Sequence, residues 1–135
     1  MAVLLPSSTP APVPRPRRSW KDKFRDAFRG LKIGIRGHSS FSIHFFFATL
    51  VLAAAVVLKC ALLEWCLLLG CIGLVLTAEL FNSAVETLFR GLSEEVKERS
   101  WQSLDIAAGA VLLASMTAVV VGCLVFVPKV MALVG

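Results

Sequence analysis

Charged residues are scarce in this chain, and they are absent from long stretches of it. Only 17% of the 135 residues are Asp, Glu, Lys or Arg, against about 25% in an ordinary soluble domain. Hydrophobic residues make up 57%, and a chain this short cannot hide so much apolar surface in its own core. This composition excludes an ordinary soluble domain and indicates that much of the surface faces lipid.

The sequence also lacks any cysteine pattern typical of a metal site or of a disulfide framework. Its four cysteines have no metal-ligand spacing, and most of them fall in apolar runs, where cysteine behaves as a small hydrophobic residue. A signal peptide is not expected, because prolines interrupt the apolar N-terminus and the basic residues follow it. Residues 1–18, rich in Pro, Ser and Ala, are typical of a disordered tail.

Three stretches have the length and polarity of membrane-spanning helices. About 20 helical residues cover the hydrocarbon thickness of a bilayer. Two of the stretches, 39–58 and 106–127, contain no charged residue. The third apolar run begins at residue 65 and must continue past its polar residues to about residue 89 in order to cross. We therefore predict spans at 39–58, 65–89 and 106–127, with Pro128 and Lys129 halting the last one.

The segment before the first span, residues 19–36, has apolar side chains at helical spacing with basic residues between them. This pattern predicts an amphipathic helix at the membrane interface, with Ser19 as its N-cap. Packing on a soluble core is the alternative, but little sequence remains to build one. The predicted fold class is all-α: an integral membrane three-helix bundle with an N-terminal amphipathic interfacial helix, forming one domain over residues 19–135.

Basic residues are distributed unevenly, and their distribution predicts the topology. Nine of the fourteen Lys and Arg residues precede position 39, and three more lie in the connector 90–105. Because basic loops remain in the cytoplasm, we predict a cytoplasmic N-terminus. A basic N-terminus is also compatible with nucleic-acid binding, but the adjacent hydrophobic spans favour anionic lipid instead. We therefore expect membrane partners and no nucleic acid.

Polar residues gather near the end of the second predicted span. At about 100° per residue, Glu79, Asn82 and Glu86 fall within an arc of roughly 60° and form a stripe about 10 Å long, which Arg90 extends. Interhelical hydrogen bonds would explain a single Asn, whereas two carboxylates in a membrane helix favour a function. A carboxylate at the bilayer rim accepts a proton from an alcohol, and a second one holds a divalent ion. These are components of phosphoryl transfer.

The stretch AELFNSAVE, from Ala78 to Glu86, resembles the motif E-x-x-N-[ST]-A-[IV]-E of the prokaryotic diacylglycerol kinase family, which includes the undecaprenol kinases. The stretch DIAAGAVLLAS, from Asp105 to Ser115, and the segment WKDKFRDAFRGLKIGIR followed by FSIH are similar to further parts of that family. The resemblance covers about residues 19–127. It implies a homotrimer in the bacterial inner (cytoplasmic) membrane, a lipid alcohol as substrate, and ATP and Mg²⁺ as cofactors.

The resemblance also implies roles for individual residues. It assigns Glu79 as the general base and Asn82 as a supporting polar residue. Glu86 is implied as the ligand of metal and nucleotide, and Glu95 and Asp105 as nucleotide contacts. The implied activity is transfer of the ATP γ-phosphate to diacylglycerol or undecaprenol, in phospholipid or cell-wall lipid recycling.

Three positions depart from the family pattern. Arg90 replaces an Asp, Leu104 replaces the Lys that meets the phosphates, and His38 replaces an acidic metal ligand. Loss of that Lys removes an electrostatic contribution of several kcal/mol, whereas Arg90 offers a guanidinium that binds phosphate well. The alternatives are a kinase with rearranged charges and a catalytically impaired relative that binds lipid or another membrane protein.

The two histidines, His38 and His44, lie near the start of the first predicted span. A lone His near a membrane interface is more often a hydrogen-bonded anchor than a metal ligand, and we expect no catalytic role for His44.

A small transporter would place polar residues along several spans to the midplane. The first and third predicted spans are nearly apolar, which disfavours a transporter.

Overall fold

The computed structural model describes residues 19–37 and 40–135, which form helices and no strand. In chain order the helices are α1 (Trp20–Gly37), α2 (Ser40–Val57), α3 (Leu62–Arg90), α4 (Glu94–Ser100) and α5 (Gln102–Val134). Of these described helices, α2, α3 and α5 are long and apolar enough to cross a membrane. The predicted all-α membrane bundle is therefore confirmed. The predicted tail over residues 1–18 and His38 lie outside the described residues.

The interfacial helix α1 begins at the predicted N-cap. The Ser19 hydroxyl accepts a hydrogen bond from the backbone N–H of Asp22 at 3.2 Å and donates one to the Asp22 carboxylate at 2.7 Å. The cap satisfies one of the N–H groups that the first helical turn leaves unpaired. The apolar side chains of Trp20, Phe24 and Phe28 remain exposed along α1, as a helix on a lipid surface requires.

The C-terminal part of α1 packs against α3 at a glycine. A Cβ atom added to Gly34 would collide with Cδ1 of Leu80 on α3. The missing side chain therefore lets the two helices approach closely at this point. Leu80 follows Glu79 directly, so the contact places α1 beside the polar stripe.

The helix α3 is central, because α1, α2 and α5 all contact it and α5 does so most extensively. A small core forms where Ala55, Leu68 and Val125, one from each long helix, pack together. Most other large apolar side chains on the long helices are exposed. An exposed apolar surface of this extent fits a protein whose outer faces contact lipid.

A short turn joins α2 to α3 at the end of the bundle opposite the polar stripe. Lys59 in this turn has a φ of 49°, a left-handed conformation that non-glycine residues seldom adopt. The Glu64 carboxylate accepts a hydrogen bond from the backbone N–H of Ala61 at 2.6 Å and pairs with Lys129 of α5 at 2.9 Å. Partial burial raises the pKa of the Cys60 thiol, and the neighbouring Glu64 carboxylate adds to this shift. The ion pair between Glu64 and Lys129 joins α3 to α5 beside the turn.

The helix α5 continues past residue 127, where the third span is predicted to end. Pro128 lies inside α5, which runs to Val134. A proline removes one backbone hydrogen bond from a helix, but membrane helices tolerate it when the freed groups find other partners. The apolar residues after Lys129 also favour continuation of the helix.

Candidate functional site

The polar residues of α3 lie between two neighbouring helices, and Glu79 lies on the side of α2. Its carboxylate is buried. One carboxylate oxygen accepts a hydrogen bond from the Ser40 hydroxyl, and the other lies 3.6 Å from Nε2 of His44. Ser40 and His44 are four residues apart, so one face of α2 presents both groups to the same carboxylate. Burial of a carboxylate is costly without polar partners, and α2 supplies them.

Two turns along α3, the Glu86 carboxylate interacts with side chains of its own helix. The Asn82 amide donates a hydrogen bond to Oε1 of Glu86 at 3.0 Å, and the Arg90 guanidinium donates one to Oε2 at 3.2 Å. The Arg90 side chain is about two-thirds exposed, so solvent screens this pair and its contribution to stability is small, about 0.5 kcal/mol. Arg90 is thus held in place weakly and can exchange partners.

Asn82, Glu86 and Arg90 line a cavity of about 350 Å³ between α3 and α5, called here the polar cavity. Leu104 and Asp105 contribute to its lining from α5. The cation that the family pattern places at position 104 is therefore absent there, but the Arg90 guanidinium belongs to the same cavity. The structure brings together three of the predicted site residues: Asn82, Glu86 and Asp105.

The other two predicted site residues lie outside the polar cavity. Glu79 faces α2, as described above. Glu95 lies on α4, where its carboxylate pairs with Arg99 at 3.3 Å and both side chains are largely exposed. A nucleotide role for Glu95 would therefore require a ligand that extends beyond this cavity.

A second cavity, the apolar groove, has a volume of about 490 Å³ and lies between α2, α3 and α5. Its walls are apolar almost throughout, with Phe47, Val75 and Val119 as examples. His44 is also part of its lining. His44 therefore contacts both the groove and the buried carboxylate of Glu79. The sequence contained a signal for this arrangement, since Ser40 and His44 are polar, four residues apart and in a span without Asp, Glu, Lys or Arg.

A resident metal ion does not fit the site as one chain builds it. Within residues 19–37 and 40–135, no group of three or more His, Cys, Asp or Glu side chains is arranged to hold a metal. Mg²⁺, however, usually keeps several waters and binds through one or two carboxylates together with substrate phosphates. Glu86 fits that mode of binding, in which the ion arrives with a nucleotide.

Comparison with known proteins places these features in a family. A model of the family described as prokaryotic diacylglycerol kinase matches residues 25–126. The diacylglycerol kinase of Synechocystis is 30% identical over 141 residues, covering 98% of this chain and 81% of that protein. The undecaprenol kinase of Bacillus subtilis is 28% identical over 106 residues, covering 78% of this chain and 86% of that protein. No solved structure matches the chain.

The chain belongs to the prokaryotic diacylglycerol kinase family. The match over residues 25–126 includes both cavities' lining except for Val127 at the end of the groove. The resemblance stated from the sequence is confirmed, and with it the prediction of a bacterial membrane lipid kinase. No observation favours the catalytically impaired alternative. The roles of individual residues remain predictions.

Proposed function

We propose that this protein transfers the γ-phosphate of ATP to the hydroxyl of diacylglycerol or undecaprenol, in phospholipid or cell-wall lipid recycling. The observation that carries the proposal is the placement of two unlike cavities along α3. The polar cavity is lined by the Glu86 and Asp105 carboxylates and the Arg90 guanidinium among apolar side chains, whereas the lining of the apolar groove is apolar almost throughout. Such a pair suits a water-borne nucleotide and a membrane alcohol. The names of the two relatives, diacylglycerol kinase and undecaprenol kinase, support both alcohols.

The nucleotide binds in the polar cavity under this proposal. Glu86 would hold Mg²⁺, which would supply positive charge to offset the charge of the phosphates. The Arg90 guanidinium lies 3.2 Å from a Glu86 carboxylate oxygen, and Glu86 would release it on holding an ion. The released guanidinium then meets the phosphates in place of the Lys that position 104 lacks. Asp105 contacts the nucleotide from α5, and Glu95 does so from α4.

The lipid end of the site contains Glu79. Glu86 lies seven positions further along α3, which corresponds to about 10 Å along the helix axis. Glu79 supplies the basic charge for removal of the alcohol proton, with Asn82 as a polar support between the two carboxylates. This separation matches substrates that approach from different phases, because the nucleotide remains at the water-facing end.

The proposed assembly is a homotrimer in the inner membrane with a cytoplasmic N-terminus. The nine basic residues before position 39 support this orientation. Light scattering of the purified protein, corrected for detergent, measures the subunit number directly.

The test of the proposed function is a transfer assay with both alcohols in parallel. Purified protein in mixed micelles receives γ-labelled ATP, Mg²⁺ and either diacylglycerol or undecaprenol. We expect labelled lipid phosphate with at least one alcohol and strict dependence on Mg²⁺. Glu98→Gln, at an exposed position of α4, is a matched control that retains activity. If neither alcohol is labelled above the Glu86→Gln background, the kinase proposal is wrong.

A further inference from the structure

The two oxygens of the buried Glu79 carboxylate have different neighbours on α2. Oε1 accepts a hydrogen bond from the Ser40 hydroxyl. Oε2 lies 3.6 Å from Nε2 of His44, which is longer than a hydrogen bond. The Ser40 contact therefore holds one oxygen in place, whereas the other oxygen is held less firmly and faces the His44 side.

The His44 side of the carboxylate is also the side of the apolar groove, because His44 contributes to the lining of the groove. Asn82, three residues after Glu79 on the same side of α3, lines the polar cavity. Glu79 itself lines neither cavity, and its side chain is only 4% exposed. The orientation of this carboxylate therefore decides whether one of its oxygens meets an alcohol whose hydrocarbon chain lies in the groove.

We propose that Ser40 is a positioning residue for Glu79: its hydroxyl holds Oε1, so that Oε2 faces the groove and receives the proton of the lipid alcohol. The inference rests on the proposed kinase function, in which Glu79 is the base, and adds a residue from a different helix to it. In this step the alcohol O–H bond breaks, and the proton passes to Oε2. The oxygen electron pair forms a bond to the γ-phosphorus, and ADP leaves with the electron pair of the bond that breaks.

A glutamate base needs such a partner because its side chain is long and flexible. Several rotatable bonds separate the carboxylate from the backbone, and a displacement of about 1 Å can slow a reaction by about 100-fold. Ser40 is the first residue of α2, so a helix and not a loop carries the donor.

The chemistry of the hydroxyl also suits the task. A serine is neutral, so it donates a hydrogen bond to the carboxylate without forming an ion pair with it, as Lys or Arg would. Water cannot readily replace this donor, because the Glu79 side chain is almost fully buried. Ser40 can therefore orient the base and leave its negative charge available to the alcohol proton.

The alternative is that the same hydrogen bond only joins α2 to α3. Two substitutions at position 40 distinguish these roles, because Thr and Val have similar shapes but only Thr retains the hydroxyl. We expect Ser40→Val to lower kcat by about 10–100-fold with the alcohol that the wild type phosphorylates. KM for ATP and for the lipid should not change, since Ser40 lines neither cavity. Ser40→Thr should have a kcat close to that of the wild type.

Ser42→Ala is the matched control, because it removes an exposed hydroxyl from the same helix and should leave kcat and KM unchanged. Circular dichroism and elution volume establish that each variant is folded. If Ser40→Val is not folded, Ser40→Ala replaces it in the comparison with Ser40→Thr.

Three results would overturn the role of Ser40 and leave the kinase proposal standing. The first is an equal kcat in Ser40→Thr and in the variant without the hydroxyl. The second is a rise in kcat when the hydroxyl is removed, which would mean that Ser40 holds Glu79 away from the alcohol. The third is a loss that appears only in KM. A wild-type protein that phosphorylates neither alcohol overturns both proposals.

Discussion

The two ends of α3 hold carboxylates in contrasting surroundings. Near the start of the helix, Glu64 accepts a backbone hydrogen bond and pairs with the ammonium of Lys129. Near the other end, Glu79 is buried beside a hydroxyl and an imidazole, and Glu86 lines a cavity beside a weakly held guanidinium. The first arrangement provides a lasting partner on another helix. The second places Glu86 in the wall of a cavity, beside a guanidinium that can exchange partners, and a cavity with a few polar groups is where a ligand is expected to bind.

The same substitution at the two ends should separate these roles most strongly. Glu86→Gln removes the charge that holds the ion and should lower kcat by about 10²–10³-fold, the range found when one electrostatic contact to a transition state is lost. It should also abolish Mg²⁺-dependent nucleotide binding, measured by fluorescence of a labelled ATP analogue. Glu64→Gln should keep kcat within about threefold of the wild type. Equal loss of activity in both variants would remove the functional contrast between the ends.

The next largest effect on activity is expected when the positive charge is moved from position 90 to position 104. Arg90→Ala should reduce kcat/KM for ATP by about 10–100-fold, since a charge-assisted contact to phosphate is lost. Leu104→Lys in the Arg90→Ala background should recover much of this loss, because both positions line the polar cavity. Steady-state kinetics of the four proteins form a double-mutant cycle. Independent, additive effects of the two substitutions would contradict a shared role.

Substitutions beside the turn between α2 and α3 should change the stability of the protein rather than its activity. Glu64→Gln and Lys129→Met should each lower the melting temperature by a few degrees, because each breaks the ion pair between α3 and α5. The double variant should lose less than the sum of the two single losses, since the second substitution removes a partner that is already unpaired. Thermal unfolding in detergent, followed by circular dichroism, measures all three. A strong fall in kcat at unchanged stability would contradict a structural role.

The smallest expected effect concerns two glycines of α1, Gly30 and Gly34. Gly34 is the one at which α1 packs closely against α3, next to Glu79. Gly30→Ala adds a Cβ atom that meets nothing within 4 Å, and it should stabilise α1 by up to about 1 kcal/mol. Gly34→Ala should gain none of this, because its new methyl group requires Leu80 to move. Thermal unfolding of the two variants side by side makes the comparison. Equal gains would show that α1 does not pack closely on α3 at Gly34.

The long helices and the polar stripe could be predicted from the sequence, because both depend on local patterns. Uncharged runs of sufficient length predict spans, and helical periodicity alone places Glu79, Asn82 and Glu86 on one side of α3. Contacts between helices are not local, so the His44–Glu79 contact and the shared cavity of Arg90 and Leu104 could not be predicted. The end of α5 was also missed, because the propensity of Pro128 to end a helix does not prevail within this membrane helix.

The length of α5 has a consequence for where the nucleotide meets the protein. Its 33 residues extend for about 50 Å, whereas the hydrocarbon layer is about 30 Å thick. Tilting accommodates only part of this excess, so one or both ends of the rod must project into water. Asp105 lies in the first turn of α5, and a projecting first turn would carry its carboxylate clear of the acyl chains. The same continuous helix would then extend from the membrane–water interface into the hydrocarbon interior, so that no hinge would lie between the nucleotide and the lipid alcohol.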